Sequence, residues 1–164
     1  MSKNNLINEW KRKKAPAKPE TRLLLKKLKK KKGKQLDKHA DEVHGNIFKN
    51  IDCLECANCC TSIPPIVNKT DASRIAKKLG MKPAAFEKEY LVIDEDGDIV
   101  MNTSPCPFLQ KNNNCLIYEI RPKACRQFPH TDNLDFSKNM KLHGMNANIC
   151  PGVFHILRRL GEVI

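Results

Sequence analysis

Half of the chain's eight cysteines fall within Cys53-Leu54-Glu55-Cys56-Ala57-Asn58-Cys59-Cys60. Four sulfurs packed so closely must find partners: one another, a metal, or the remaining Cys106, Cys115, Cys125 and Cys150. A Cys-x-x-Cys spacing suits metal, because two intervening residues let both thiolates turn inward on one tight loop. Two such spacings overlap here, Cys53 to Cys56 and Cys56 to Cys59. Three sulfurs on one loop, with a remote fourth cysteine followed by proline, is the ferredoxin-like way of presenting ligands to an iron–sulfur cluster. Cys150-Pro151 supplies that fourth residue. It also stands where a helix begins, and the free N–H groups and dipole there favour a thiolate.

Neighbouring side chains generally diverge, so Cys59 and Cys60 are expected to share one centre only with difficulty. The simplest arithmetic then gives two sets. Cys53, Cys56, Cys59 and Cys150 would form one, and Cys60, Cys106, Cys115 and Cys125 the other, a four-thiolate arrangement of the kind zinc adopts. Other partitions stay open. Four thiolates around a divalent ion leave net negative charge, and Arg121, Lys123 and Arg126 lie within four residues of Cys125 to offset it by hydrogen bonds to sulfur. The plainer alternative for these basic residues is capping or solvating a helix. An even cysteine count also permits a disulfide framework. The adjacent Cys59-Cys60 pair and the polar N-terminus, which has no apolar run of the signal-peptide kind, weigh against it. Reduced thiols in a cytoplasmic setting are expected instead.

Charge is unevenly spread. Residues 1–34 hold 14 of the 30 Lys+Arg and 2 of the 18 Asp+Glu, and the other 130 residues hold 16 of each and net to zero. The expected organisation is a disordered or weakly helical basic arm over 1–34, with 1–19 disordered, and one cysteine-bearing domain over 35–164. Within that domain Leu36, Ala40, Val43 and Ile47 make one face of a helix. Ala72, Ile75, Ala76 and Leu79 make another, with Thr70 or Asp71 as its cap and Gly80 at its end. Pro83 opens a short helix to Tyr90. "LVIDEDGDIVM" reads as two strands joined at Asp96-Gly97. "CPFLQKNNNCLIY" reads as a second hairpin, whose asparagines tolerate positive φ and would bring Cys106 towards Cys115. Arg121-Pro122 opens a short helix carrying Cys125 and Arg126. The stretch 130–149 has no period, and from Pro151 the residues Val153, Ile156, Leu157 and Leu160 form a final helix face. The fold class expected is α+β: a small, mainly helical, metal-stabilised domain with short β-hairpins. With aromatic residues at 5%, bound metal is expected to supply part of the folding free energy.

The cysteine pattern resembles the YkgJ-type cysteine-cluster family, a zinc- or iron-chelating domain named for its CxxCxxCC signature. "CLECANCC" at 53–60, "PCPFLQKNNNCLIYEIRPKACRQFP" at 105–129 and "CPG" at 150–152 carry the resemblance, and "KTDASRIAKKLGM" adds to it. It spans about residues 51–152, with all eight cysteines at family positions. It implies that Cys53, Cys56, Cys59, Cys60, Cys106, Cys115, Cys125 and Cys150 hold zinc or an iron–sulfur cluster. Arg121, Pro122, Arg126 and Pro129 are the rest of the pattern. An iron–sulfur centre would imply electron transfer, redox sensing or support of an oxidative modification of another protein; a related cysteine module occurs in flagellin lysine N-methylases, which makes an enzyme subunit of that kind a third expectation.

No catalytic set stands out, for the chain has no phosphate-binding glycine loop, no nucleophile elbow and no HExxH pair. Asp94, Glu95, Asp96 and Asp98 lack EF-hand spacing and read as a solvated turn. His130 and His143 read as solvated loop residues, and His39, His44 and His155 as helix surface or packing. The rival function is a zinc-stabilised module whose lysine-rich residues 1–34 grip nucleic acid, with an anionic membrane surface or an acidic protein as other partners for the charge. A chain beginning near Gln35 is expected to keep its metal.

Overall fold

The structure, a computed structural model, describes residues 3–132 and 135–163. Residues 1–2 of the expected arm, 133–134 of the patternless stretch and 164 lie outside them. In chain order the helices are α1 (Lys3–Lys13), α2 (Lys18–Leu28), α3 (Gly33–Phe48), the single turns α4 (Cys53–Cys56) and α5 (Asn58–Ser62), α6 (Lys69–Lys78) and α7 (Pro83–Tyr90). Strands β1 (Leu91–Ile93) and β2 (Ile99–Met101) follow, then α8 (Lys123–Gln127), α9 (Met140–Asn146) and α10 (Pro151–Glu162). The fold is mainly helical α+β, as the sequence pattern predicts, but among the described residues it has one two-stranded sheet: the expected second hairpin is a turn closed by the single bridge Leu109–Cys115, not a pair of strands. It divides into a first unit, residues up to Cys56 together with those from Pro129 onward, and a second, Ala57–Phe128. No helix among the described residues is long and apolar enough to cross a membrane.

The first unit is organised around α10. Pro151 opens the helix, where a missing N–H costs nothing. Val153, Ile156, Leu157 and Leu160 are all buried, and α1, α2, α3 and α9 pack around the helix. Each such side chain contributes about 1.5–3 kcal/mol relative to leaving it in water. Gly152 has no Cβ, and the Phe48 ring fills the space that one would occupy.

The expected disorder over 1–19 is corrected by α1, whose Leu6, Ile7 and Trp10 are buried, with Trp10 Nε1 donating to the Ala147 carbonyl at 2.9 Å. Three apolar residues at i, i+1 and i+4 form a short stripe that the surrounding lysines obscure. Likewise α2 is a helix with Leu28 buried and Leu24 and Leu25 half-buried. The patternless stretch contains α9, whose buried face is Met140, His143 and Asn146, with Ala147 buried at its C-cap. Two polar members hide that period from a hydrophobicity count.

The second unit packs Val67, Ala72, Ile75, Ala76, Phe86 and Phe108 into its own core, with Cys106 and Cys115 half-buried against it. Leu91 pairs with Met101 and Ile93 with Ile99 in antiparallel register, across a turn in which Gly97 takes φ of 84°. The acidic turn is built by Asp94, whose carboxylate accepts the Asp96 and Asp98 N–H groups. Helix α6 begins at Lys69, and its cap is Asn68, two residues before Thr70 and three before Asp71, in a capping box made by Asn68 and Asp71. Asp71 thus serves as the third helical residue of the motif, with Asn68 as the cap.

Candidate metal centre

In the second unit the chain enters α5 through Ala57, held in the left-handed region at φ 45°. That bend sets Cys59 and Cys60 on a fresh helical turn. Contrary to the expected divergence, their sulfurs lie 4.0 Å apart. Sulfurs sharing one tetrahedral zinc sit about 3.8 Å apart, as bonds of about 2.3 Å require. The hydrogen bond from Cys59 draws the Cys60 thiol down to about 7 against the opposing effect of burial.

The Cys106 backbone N–H donates to the Cys60 carbonyl at 2.8 Å, fixing the start of the next loop to α5. The loop closes as the asparagine run predicts. Asn113 takes φ of 66°, Gln110 N–H donates to the Asn114 carbonyl, and Leu109 bridges Cys115 in antiparallel fashion. Nearby backbone N–H groups, of Phe108 and Leu109 for Cys106 and of Ile117 for Cys115, favour the thiolates; the Leu109 N–H itself donates to the Cys106 carbonyl at 3.0 Å. Pro122 and α8 then bring in Cys125. Its thiol is pushed up to about 12, first by burial and then by the charges of Cys106, Cys60 and Cys115, with Arg121 opposing. Burial raises Cys106 and Cys115 as well; Cys106 also feels Cys115 and Cys60, and Cys115 feels Cys60. Every pair among Cys60, Cys106, Cys115 and Cys125 is therefore close enough for one thiolate to disfavour another.

The first unit gathers three more. Cys53 and Cys56 share the turn α4, which Asp52 caps through the Leu54 N–H at 2.9 Å. Cys150 is the residue before α10 and is buried; its side chain makes no capping hydrogen bond, and the nearby Gly152 and Val153 N–H groups favour its thiolate. Burial pushes its thiol up to about 12, and Cys53 and Cys56 add to the rise.

No disulfide joins any of the eight. Among the described residues no three His, Cys, Asp or Glu side chains are drawn together tightly enough to hold an ion as they stand. The donor set nevertheless fits a thiophilic cation. Thiols crowded where burial and mutual repulsion oppose their ionisation, yet supplied with N–H donors and a guanidinium, are groups whose ionisation a cation would favour.

The Arg121 guanidinium lowers Cys115 and Cys125, stacks on the Tyr118 ring at 4.0 Å and donates to the Tyr118 carbonyl. Arg126 is exposed and bonded to the Arg121 carbonyl at 2.6 Å. His143, read from sequence as a solvated loop residue, is fully buried on α9, stacked on Phe136 with Nε2 3.0 Å from the Phe136 carbonyl. His130 is half-buried with φ of 64°. Sequence reasoning missed Asp71 as a positioning residue. Its carboxylate accepts the Lys123 N–H at 3.2 Å and so anchors the start of the helix that carries Cys125. An Asn68-x-x-Asp71-x-x-Arg74 pattern was the available signal.

A mainly helical chain with grouped, N–H-supported thiols is a cysteine-cluster domain of the metal-chelating class. Comparison with protein families gives it a place: over residues 52–151 the chain matches the model of the CxxCxxCC family, described as a zinc- or iron-chelating domain. That span is more than half of the chain, which belongs to this family. No curated protein and no solved structure matches it.

Proposed function

We propose that the second unit is a zinc-binding module in which Cys60, Cys106, Cys115 and Cys125 are the ligands. The observation that carries this reading is the mutual interaction of all four thiols, each pair within electrostatic reach. Four sulfurs and no exchangeable ligand make a closed, structural type of site. Bound zinc would supply a cross-link between α5, the Cys106 to Cys115 loop and α8. The residues do the rest: backbone N–H groups of Phe108, Leu109 and Ile117 neutralise sulfur charge, and Arg121 adds a cation. Cys106 and Cys115 lie against the apolar core, so ligand order and core packing support each other.

A second reading, an iron–sulfur centre with a redox role, is favoured by the Cys53, Cys56 and Cys150 group with its Cys150-Pro151 step. Elemental analysis and the visible spectrum of anaerobically purified protein separate the two. Colourless protein with at least one zinc per chain, released by a thiol-reactive mercurial, is expected. Brown protein containing acid-labile sulfide and no zinc favours the second reading, and metal-free, folded protein overturns both.

A further inference from the structure

Eight of the sixteen residues 21–36 are Lys or Arg, and none is Asp or Glu. This run is ordered, not loose. Leu25 of α2 lies against Gly144 and Leu24 against Gly161, and Leu28 is fully buried. Packing of that face turns the lysines from Lys26 to Lys34 outward, and Lys38 joins them one turn into α3; all are exposed. Among the described residues none of them is in an ion pair, whereas upstream Lys13 pairs with Glu9 and Lys14 sits over the Trp10 ring. A shallow cleft lined by Lys31, Lys32, Gln35 and His39 opens at the same corner.

We propose that the corner between α2 and α3 is a pre-shaped ridge that grips the phosphate backbone of a nucleic-acid duplex. The occupant follows from what the ridge has and lacks. Its dense positive charge without internal partners suits a polyanion, whose counterions are released on binding. No Phe, Tyr or Trp occurs between Trp10, which is buried, and Phe48, so His39 is the one exposed ring at the cleft and successive single-stranded bases have no row of aromatic platforms on which to stack. A membrane-surface helix inserts an apolar face, but α2 turns Leu24, Leu25 and Leu28 inward and leaves Leu23 as its exposed leucine. The aromatic and arginine anchors of protein interfaces are missing between Lys26 and Lys38. The inference stands apart from the metal reading, since none of these residues is a cysteine or lies beside one.

The test uses the full chain, metal as purified, with fluorescently labelled DNA and RNA duplexes of about 16 base pairs, read by anisotropy over a salt series. Both duplexes are expected to bind at low salt, with a slope of log affinity against log salt of about −4 to −6. The Lys27→Gln/Lys30→Gln/Lys31→Gln/Lys34→Gln variant should reduce that slope by about 3 to 4 and weaken low-salt binding at least about 30-fold, with its circular dichroism unchanged. Absence of duplex binding at low salt overturns the proposal. So does an unchanged slope in the folded variant, or tighter binding to anionic phosphatidylserine vesicles or to a single strand of equal length.

Discussion

The Asp71 carboxylate lies 2.6 Å from the Arg74 guanidinium and is almost fully buried, while Arg74 also donates to the Ile120 and Arg121 carbonyls. With the Lys123 N–H on its second oxygen, Asp71 ties the start of α6 to the segment that leads into α8. Asp71→Ala removes the capping acceptor and leaves the Lys123 N–H unmatched, while Arg74, 31% exposed, keeps its carbonyl partners, so the cost is about 1–3 kcal/mol. Asp71→Ala should therefore lower the urea-unfolding free energy by about that amount. Asp71→Ala/Arg74→Ala should lose less than the sum of the single variants. An Asp71→Ala midpoint equal to wild type would show that the pair does not hold this corner.

The thiols divide between the two units, so their substitutions should separate too. Cys125→Ser should abolish metal retention by the four-thiol group and cost well over 1 kcal/mol of stability, because folding and ligation are linked there. Cys150→Ser should leave that group loaded. Cobalt titration of the apo-protein checks this through the intense visible bands of tetrahedral cobalt thiolate: present in Cys150→Ser, lost in Cys125→Ser. Equal loss in both variants would contradict the division.

What the sequence made legible depended on local rules. The α10 stripe, the Gly97 turn and the asparagine-run loop each follow from short-range chemistry, and the structure contains all three. Metal-type spacing singled out the eight cysteines, and the family match over 52–151 carries the same description. What stayed hidden depends on tertiary context. A stripe as short as Leu6, Ile7 and Trp10 becomes a helix face only because α10 covers it. His143 and Asn146 count as polar in any pattern, yet both are buried where a carbonyl is within reach. The approach of the Cys59 sulfur to that of Cys60 depends on side-chain rotamers, and the left-handed Ala57 that precedes them is a conformation alanine rarely adopts; no local propensity assigns either.

Trp10 is 1% exposed, and its indole N–H is matched to the Ala147 carbonyl. Trp10→Ala should cost about 3–5 kcal/mol, the range for deleting a buried large aromatic residue. A chain beginning at Gln35 lacks this residue and Leu28 as well, so it should bind the apolar dye ANS and lose the cooperative unfolding of the first unit. Its four-thiol group, built wholly from residues after Ala57, should still take up one cobalt ion. Unchanged unfolding of the shortened chain would show that α1 and α2 contribute nothing to the packing around α10.

His143 links stability to pH. Burial holds its imidazole below the ordinary value of 6.5; the hydrogen bond to the Phe136 carbonyl opposes this, and the nearby His130 adds to the lowering. Between the depressed folded value and 6.5 the unfolded chain binds more protons than the native one. Stability therefore rises with pH across that window and is lost as pH falls through it. His44 is lowered in the same sense by burial, against Asp132 and Asp41, so the wild-type profile contains both contributions. His143→Phe keeps a ring against Phe136 and removes the titration. Urea unfolding at about pH 7.5 and about pH 5.5 should show a wild-type loss of stability on acidification that exceeds the variant's by up to about 1.4 kcal/mol per pH unit within the window. Parallel profiles for the two proteins would mean that the buried imidazole takes up its proton as readily in the native chain as in the unfolded one.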